Sequence, residues 1–348
     1  MNRAMSFQSG TGMKISASIP ADVSEEYLQF LQQIGVNWVY TWVTEDQANA
    51  EFISGLIEKA ARYDIRVYSV GYTGYGKSPD IMLGTEKRDE KIAEFQRFIR
   101  LLGSLDVHTT IVTWEPNRVI STSMDGKVLS ALYQGEYEPA RTRGGAQTRI
   151  VDLTYVEKAP MSHGRIYTKE EIWECFRYFA DAMMPVCEEA GVRIALHPND
   201  PPVDSLLGIA TLIQCHQDYE KAFSVAGSEF LGMELCCGCW LEGGKDRFGD
   251  LEQSIAQFVK EERVCTVHFR NITAPLPLFK ETFLDDGYQN MYLIMKALVK
   301  AGYNGSITLD HTPKTVPSAG RPAETAFGVA YIKALKLAAE TELANAQE

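Results

Sequence analysis

The chain has 348 residues, 45% of them hydrophobic and 23% charged, with 27 Gly and 14 Pro, proportions that exclude a disordered, collagenous or coiled-coil protein. Its 34 Lys and Arg against 46 Asp and Glu give a net charge of -12, a field that repels phosphate backbones and anionic membrane faces, so no nucleic acid and no membrane is expected as partner. The start, MNRAMSFQSGTG, lacks a signal peptide's apolar run, no stretch approaches a membrane span, and the seven cysteines follow no disulfide framework, so a cytoplasmic protein with free thiols is expected.

After a tail over 1–12, MKISASI (13–19) reads as a strand, and the apolar period that follows ends at Gly35 as a helix does. NWVYTWV (37–43), RVYSVGY (66–72) and TTIVTWE (109–115) are the next strands, with helices through Ile65 and over 86–103 between them. From Pro116 to Thr168 the periodicity lapses into Gly, Arg, Tyr and Ser, an insertion that reads as a lid, a surface excursion or a subunit contact. Alternation resumes with a helix over 169–190, RIALHP (193–198), a helix over 206–222, GMELCC (232–237) and a helix over 249–260. RVCTVHFRN (263–271), a helix over 286–301, SITLDH (306–311) and a helix over 322–340 complete eight strand–helix units. Eight βα units without a second run of strands predict a single (β/α)8 TIM barrel over 13–341, with a short tail over 342–348. An open doubly wound sheet is the competing fold, but the Gly-rich fingerprint it would carry after its first strand is missing.

Barrel chemistry sits at the C-terminal strand ends, where one residue parity faces inward. In the last four strands the bulky apolar parity belongs to the helix side, as with Ile194 and Leu196, Met233 and Leu235, Cys265 and Val267, and Ile307 and Leu309. The other parity ends in His197, Cys236, His268 and Asp310. Imidazole, thiolate and carboxylate are ligands for a divalent transition ion, and four of them leave positions open for substrate. Cys237 has the wrong parity and Cys239 lies beyond the strand on a Gly238 turn, so Cys236 is the expected thiolate. Trp114, Tyr72 and Trp240 at strand ends either cover a sugar face or pack in the core.

At these residues the chain resembles the mannonate dehydratases, in the order and spacing of HPNDPP (197–202), LCCG (235–238), VHFRN (267–271) and LDH (309–311). Weaker likeness extends through 79–103, 183–193, FKETFLDDGYQNMY (279–292) and TAFGV (325–329). The resemblance implies a xylose-isomerase-like barrel that removes water from an aldonic acid, D-mannonate, to give a 2-keto-3-deoxy acid. It implies His197, Cys236, His268 and Asp310 as ligands of Mn2+, with Fe2+, Co2+ or Zn2+ as substitutes. It implies His311 as a proton-transfer residue, although parity leaves direct catalysis and an orienting role equally open. Arg270 either grips a substrate carboxylate or pairs with Asp200, and Asn199 and Asn271 either meet hydroxyls or cap turns.

Three positions depart from the family pattern: Asn199 stands for an acid in HPDDPP, Asn290 for an acid before MY, and Glu324 for a tyrosine before TAFG. A carboxylate in place of a phenol exchanges a weak acid for an anion or base, so Glu324 is a catalytic candidate whose presence favours another sugar acid or epimer. The expected partner is a small-molecule sugar acid, and the expected assembly a homo-oligomer, a dimer or higher. A sugar isomerase or epimerase, or a sugar-acid-binding barrel without catalysis, would fit the same scaffold.

Overall fold

The structure, a computed structural model, describes residues 12–117, 140–157 and 159–346; most of the tail 1–12, the end of the tail 342–348 and the middle of the 116–168 insertion lie outside the described residues. Eight parallel strands close into a barrel in sequence order: β1 (Lys14–Pro20), β2 (Trp38–Val43), β3 (Arg66–Tyr72), β4 (Thr109–Thr113), β5 (Arg193–His197), β6 (Leu231–Cys236), β7 (Val264–Phe269) and β8 (Ser306–Leu309). Closure is by β1, whose Lys14 and Ser16 pair with Ser306 and Thr308 on β8 while Ser16 also aligns with Trp38 on β2.

The principal outer helices are α1 (Glu25–Gln33), α2 (Ala50–Ala61), α3 (Arg88–Ser104), α4 (Lys169–Ala190), α5 (His216–Ala226), α6 (Leu251–Lys260), α7 (Met291–Lys300) and α8 (Gly320–Asn345). Local chemistry sets their ends. Ser24 and Asn49 accept from the backbone N–H of Tyr27 and Phe52, and Thr168 with Glu171 forms a reciprocal capping box on α4, satisfying amides that have no partner inside the helix. Gly191 stops α4 at φ 67°, a conformation that costs a residue with a Cβ more than glycine.

Two layers form the core. Val39, Phe95, Ile99, Phe176, Met183, Leu196, Phe258, Val267 and Ile307 belong to the layer between strands and helices. Tyr40, Tyr68, Ile111, Ala195 and Cys265 form a separate cluster inside the barrel. Cys265 was expected on the helix side; a register shift between Val264 and Thr266 carries it inward.

Two other expectations fail. The helix expected over 206–222 begins only at His216, because Leu207 at φ 50° and Gly208 at φ 87° turn Ser205–Leu206 back onto Ile209–Ala210 as a small hairpin. A second set of strands also exists: Asn271–Ile272, Leu278–Thr282 and Ile150–Asp152 make a three-stranded sheet over the C-terminal rim. Through it, and through the bridge from Gln147 to Lys314, the described part of the insertion becomes a fixed wall of the site.

Candidate active site

The inward parity of β6, β7 and the residue after β8 places Cys236, His268 and Asp310 together, with one ligand atom of each within 4.8 Å of the others. Cys236 Sγ is 3.6 Å from Asp310 Oδ2, and His268 Nδ1 is 3.5 Å from Asp310 Oδ1. The fourth expected ligand, His197, adjoins this set: it groups with Cys236 and Cys239, and separately with Glu234 and His268. Its ring centre is 5.6 Å from that of His268. Because Nδ1 of His197 lies 2.6 Å from the Pro198 carbonyl, that nitrogen carries the proton and Nε2 presents a lone pair. Cys237 points into the outer core as parity requires, but Cys239, expected to lie outside the site, comes within the His197–Cys236 group.

Cys236 is the thiolate. Burial pushes its thiol up, but the Cys239 hydrogen bond, the Arg270 guanidinium and the two histidines hold it well below the usual thiol range. Burial and then the neighbouring Cys236 keep the Cys239 thiol well above that range. His268 is shifted well up: burial opposes its charge, but Glu234 and then Asp310 outweigh that.

The donor set fits a divalent transition ion, with soft sulfur, imidazole and carboxylate converging. Both nitrogens of His268 and both carboxylate oxygens of Glu234 are buried without a directed hydrogen bond among the described residues, although His268 Nε2 lies 2.8 Å from Glu234 Oε1. Buried polar atoms are rarely left so unless an ion or water completes them.

Beneath the rim lies an ion-pair network. Arg270, fully buried, reaches Glu281 at 2.6 Å, Glu242 at 2.9 Å, Asp310 at 3.1 Å and Asp200 at 3.2 Å, with Cys239 and Cys236 sulfurs at 3.3 and 3.5 Å. Arg149, from the insertion, pairs with Asp200 at 2.6 Å and Glu281 at 3.0 Å. A Cβ on Gly238 would overlap the Arg270 guanidinium, so the glycine of LCCG is what admits it. Burial works against ionisation of Asp200, but Arg149 and Arg270 keep its carboxyl well below the usual range. Glu281 is likewise drawn down, to about 2, by His311 and the two arginines against the effect of burial. Glu242 is pushed well above the carboxylate range by burial and then Asp200.

This network corrects several expectations. Arg270 does not line the cavity; its donors are taken by acids, the pairing alternative. Of the insertion's arginines, Arg149 is held by Asp200 and Glu281, Arg143 pairs with Asp285 and Arg141 donates to the Gly145 carbonyl. Asn271 donates to the Leu284 and Gln289 carbonyls, and Asn199 bonds the Trp114 carbonyl and the Ile213 amide; both fasten loops. Trp114 packs edge-on against Phe176 and Phe179, and Trp240 stacks on Phe248, so neither faces a sugar.

What does line the cavity, which is about 810 Å³, is the set His197, Asp200, Glu234, His268, Asp310 and His311 on one side and Glu324, Lys314, Trp42 and Lys77 around it. His311, its side chain 47% exposed, offers Nδ1 to Glu281 at 3.0 Å and holds Nε2 3.7 Å from Asp310. Asp310 raises its pKa, burial lowers it, and Glu281 raises it further, for a net upward shift. Glu324 accepts from the Thr315 amide at 2.7 Å and its hydroxyl at 3.2 Å. Trp42, missed in the sequence, is the flat ring of the site; Trp38, Tyr40 and Trp42 share one parity, which was the available signal. Gly71 admits it, since a Cβ there would lie 2.6 Å from the ring.

The sequence profile of the D-mannonate dehydratase (UxuA) family matches residues 152–345, more than half of the chain and including the strand ends that carry His197, Cys236, His268 and Asp310. Mannonate dehydratase 2 of Halalkalibacterium halodurans is 27% identical over 275 residues, covering 74% of this chain and 78% of that protein. The mannonate dehydratase of Lactococcus lactis is 32% identical over 177 residues, 48% of each chain. The crystal structure of mannonate dehydratase from Streptococcus suis superposes with a TM-score of 0.81 at 21% identity, covering 96% of both chains, a likeness of fold. With these matches falling on the blocks that build the cavity floor, the chain belongs to the D-mannonate dehydratase family.

Proposed function

We infer that this chain is a metal-dependent hydro-lyase that removes water from an aldonic acid of the mannonate type, leaving a 2-keto-3-deoxy acid. The observation that carries this reading is the convergence of Cys236, His268 and Asp310, with His197 beside them, at a cavity of about 810 Å³ that His197, His268 and Asp310 line. His197, Cys236, His268 and Asp310 would hold the ion, with Mn2+ as the proposed metal. A divalent ion at such a site supplies Lewis-acid stabilisation of the charge that develops when a proton leaves the carbon beside a carboxylate.

The chain's own residues perform the rest. His311, oriented through Nδ1 by the Glu281 carboxylate, keeps Nε2 for proton transfer at the substrate, the role a histidine near its working pKa fills. Lys314 and Lys77 supply positive charge on the cavity wall, offsetting the protein's overall charge for an anionic substrate. Lys77 is itself held by Glu115 at 2.8 Å, and Trp42 provides an apolar face for sugar C–H groups. Glu324, which also lines the cavity, is the second titratable group for the acid–base pair. No helix among the described residues is long and apolar enough to cross a membrane.

The test is incubation of Mn2+-reconstituted protein with D-mannonate and a panel of other aldonic acids, reading 2-keto-3-deoxy product by mass spectrometry. Product lighter than substrate by one water is expected. Turnover without loss of water would make the protein an isomerase or epimerase, and binding without turnover a sugar-acid-binding barrel.

A further inference from the structure

Glu234 has no role in the ion set just described, yet it occupies a costly position. It lies on β6 two residues before Cys236, so on the same inward face one pleat deeper in the barrel. It is 1% exposed, lines the cavity, and neither oxygen has a hydrogen-bond partner among the described residues. Leaving a carboxylate buried in this way is unfavourable by several kcal/mol unless something compensates it.

The neighbour that matters is His268. Its two nitrogens face opposite ways: Nδ1 is 3.5 Å from Asp310 on the Cys236 side, and Nε2 is 2.8 Å from Glu234 Oε1 below. Tyr40, whose ring centre is 5.7 Å from that of the imidazole, flanks it within the barrel. A ring held by a carboxylate on one nitrogen presents the lone pair of the other, in a fixed direction and with raised basicity.

We propose that Glu234 is a positioning residue that accepts a proton-bearing Nε2 of His268, fixing Nδ1 as the metal-binding nitrogen beside Cys236 and Asp310. The inference rests on the reading of His268 as a metal ligand. It also accounts for the missing hydrogen bond: with the ion bound, His268 is locked as the Nε2–H tautomer, and a small rotation turns the 2.8 Å contact into a directed bond. The same rim offers a competing role, because Glu234 also groups with His197 and His268 within 4.8 Å and could ligate directly.

The experiment measures Mn2+ affinity by chelator competition in wild type, Glu234→Gln and Glu234→Ala, together with the melting temperature of each metal-free protein and the absorption spectrum of each Co2+-loaded one. Metal affinity is expected to fall about 10–100-fold in both variants. The melting temperature of the metal-free variants reports loss of the Glu234–His268 contact alone, whereas Glu234→Gln, which keeps an oxygen to accept from Nε2, should bind Mn2+ more tightly than Glu234→Ala, a rescue that a merely structural role does not give. The Co2+ ligand-field intensity should stay at its wild-type level, since no ligand is lost. Affinity within two-fold of wild type overturns the proposal, as does an equal loss of affinity in Glu234→Gln and Glu234→Ala. A Co2+ spectrum showing a lower coordination number also overturns it by making Glu234 a ligand. Wild type that binds no ion would instead refute the metal reading itself.

Discussion

Replacing Arg270 by Leu should be among the most damaging single changes in the protein. The guanidinium lies within 3.2 Å of four carboxylates and within 3.5 Å of two sulfurs. Arg149 still serves Asp200 and Glu281 when Arg270 is lost, but Asp310 and the Cys236 thiolate keep no guanidinium. Removing one partner of a buried ion pair typically costs about 3–5 kcal/mol, because the other charge is left uncompensated. Unfolding entropy near 2.1 cal/mol/K per residue over 348 residues gives about 0.7 kcal/mol per degree, so the melting temperature should fall by about 4–7 °C.

The assay is thermal and urea unfolding of the metal-free protein, followed by circular dichroism. Arg270→Lys should recover only part of the loss, since a single ammonium cannot span acids on opposite sides of a planar fork. A loss under about 1 kcal/mol for Arg270→Leu would refute the reasoning, because the acids would then be compensated by water or by protonation at little cost.

Three further outcomes follow from the same geometry. Glu281, lowered from 4.5 to about 2 in the folded protein, contributes stability on the order of 3 kcal/mol that is present above about pH 4.5 and lost as pH falls toward 2; Glu281→Gln should flatten that part of a pH–stability curve, and an unchanged slope would contradict it. Cys236→Ser should weaken divalent-ion binding far more than Cys239→Ser, because the thiolate charge resides on Cys236; equal losses measured by chelator competition would reverse the assignment. Glu324→Gln keeps an oxygen for the Thr315 amide while removing the charge, so a change of ten-fold or more in turnover is expected and Glu324→Tyr should raise activity on D-mannonate. Efficient mannonate turnover unaffected by Glu324→Gln would place Glu324 outside the chemistry.

The barrel was legible because strand and helix periods alternate eight times. The cavity floor was legible because parity puts Cys236, His268 and Asp310 on one face, and a strand cannot rotate one side chain independently of its neighbours. The destination of Arg270 was not. Parity aims it at the rim, but whether it meets substrate or acids depends on Glu281, Glu242 and Asp200, which arrive on a rim strand, a helix and a loop whose paths only the fold sets. Asn199, Asn271 and Trp114, which the sequence leaves open between site and scaffold, share that cause: each lies near a strand end, and only the fold assigns the first two to loops and the third to the core. The helix expected from residue 206 failed for a local reason, since apolar spacing continues through Leu206, Ile209 and Leu212 while the backbone at Leu207 and Gly208 turns left-handed.

Glu234 marks the boundary between the two kinds of knowledge. Its parity was readable beside Cys236, so its inward direction required no structure. Its meaning required the 2.8 Å distance to His268 and the lack of a directed hydrogen bond to its oxygens among the described residues. A carboxylate facing a barrel interior is ordinarily paired with a cation, and Arg270 is only two residues beyond His268. The structure gives Arg270 to four other acids. Glu234 is left for the histidine, so the acid that charge counting would treat as structural is the one best placed to set the direction of a metal ligand.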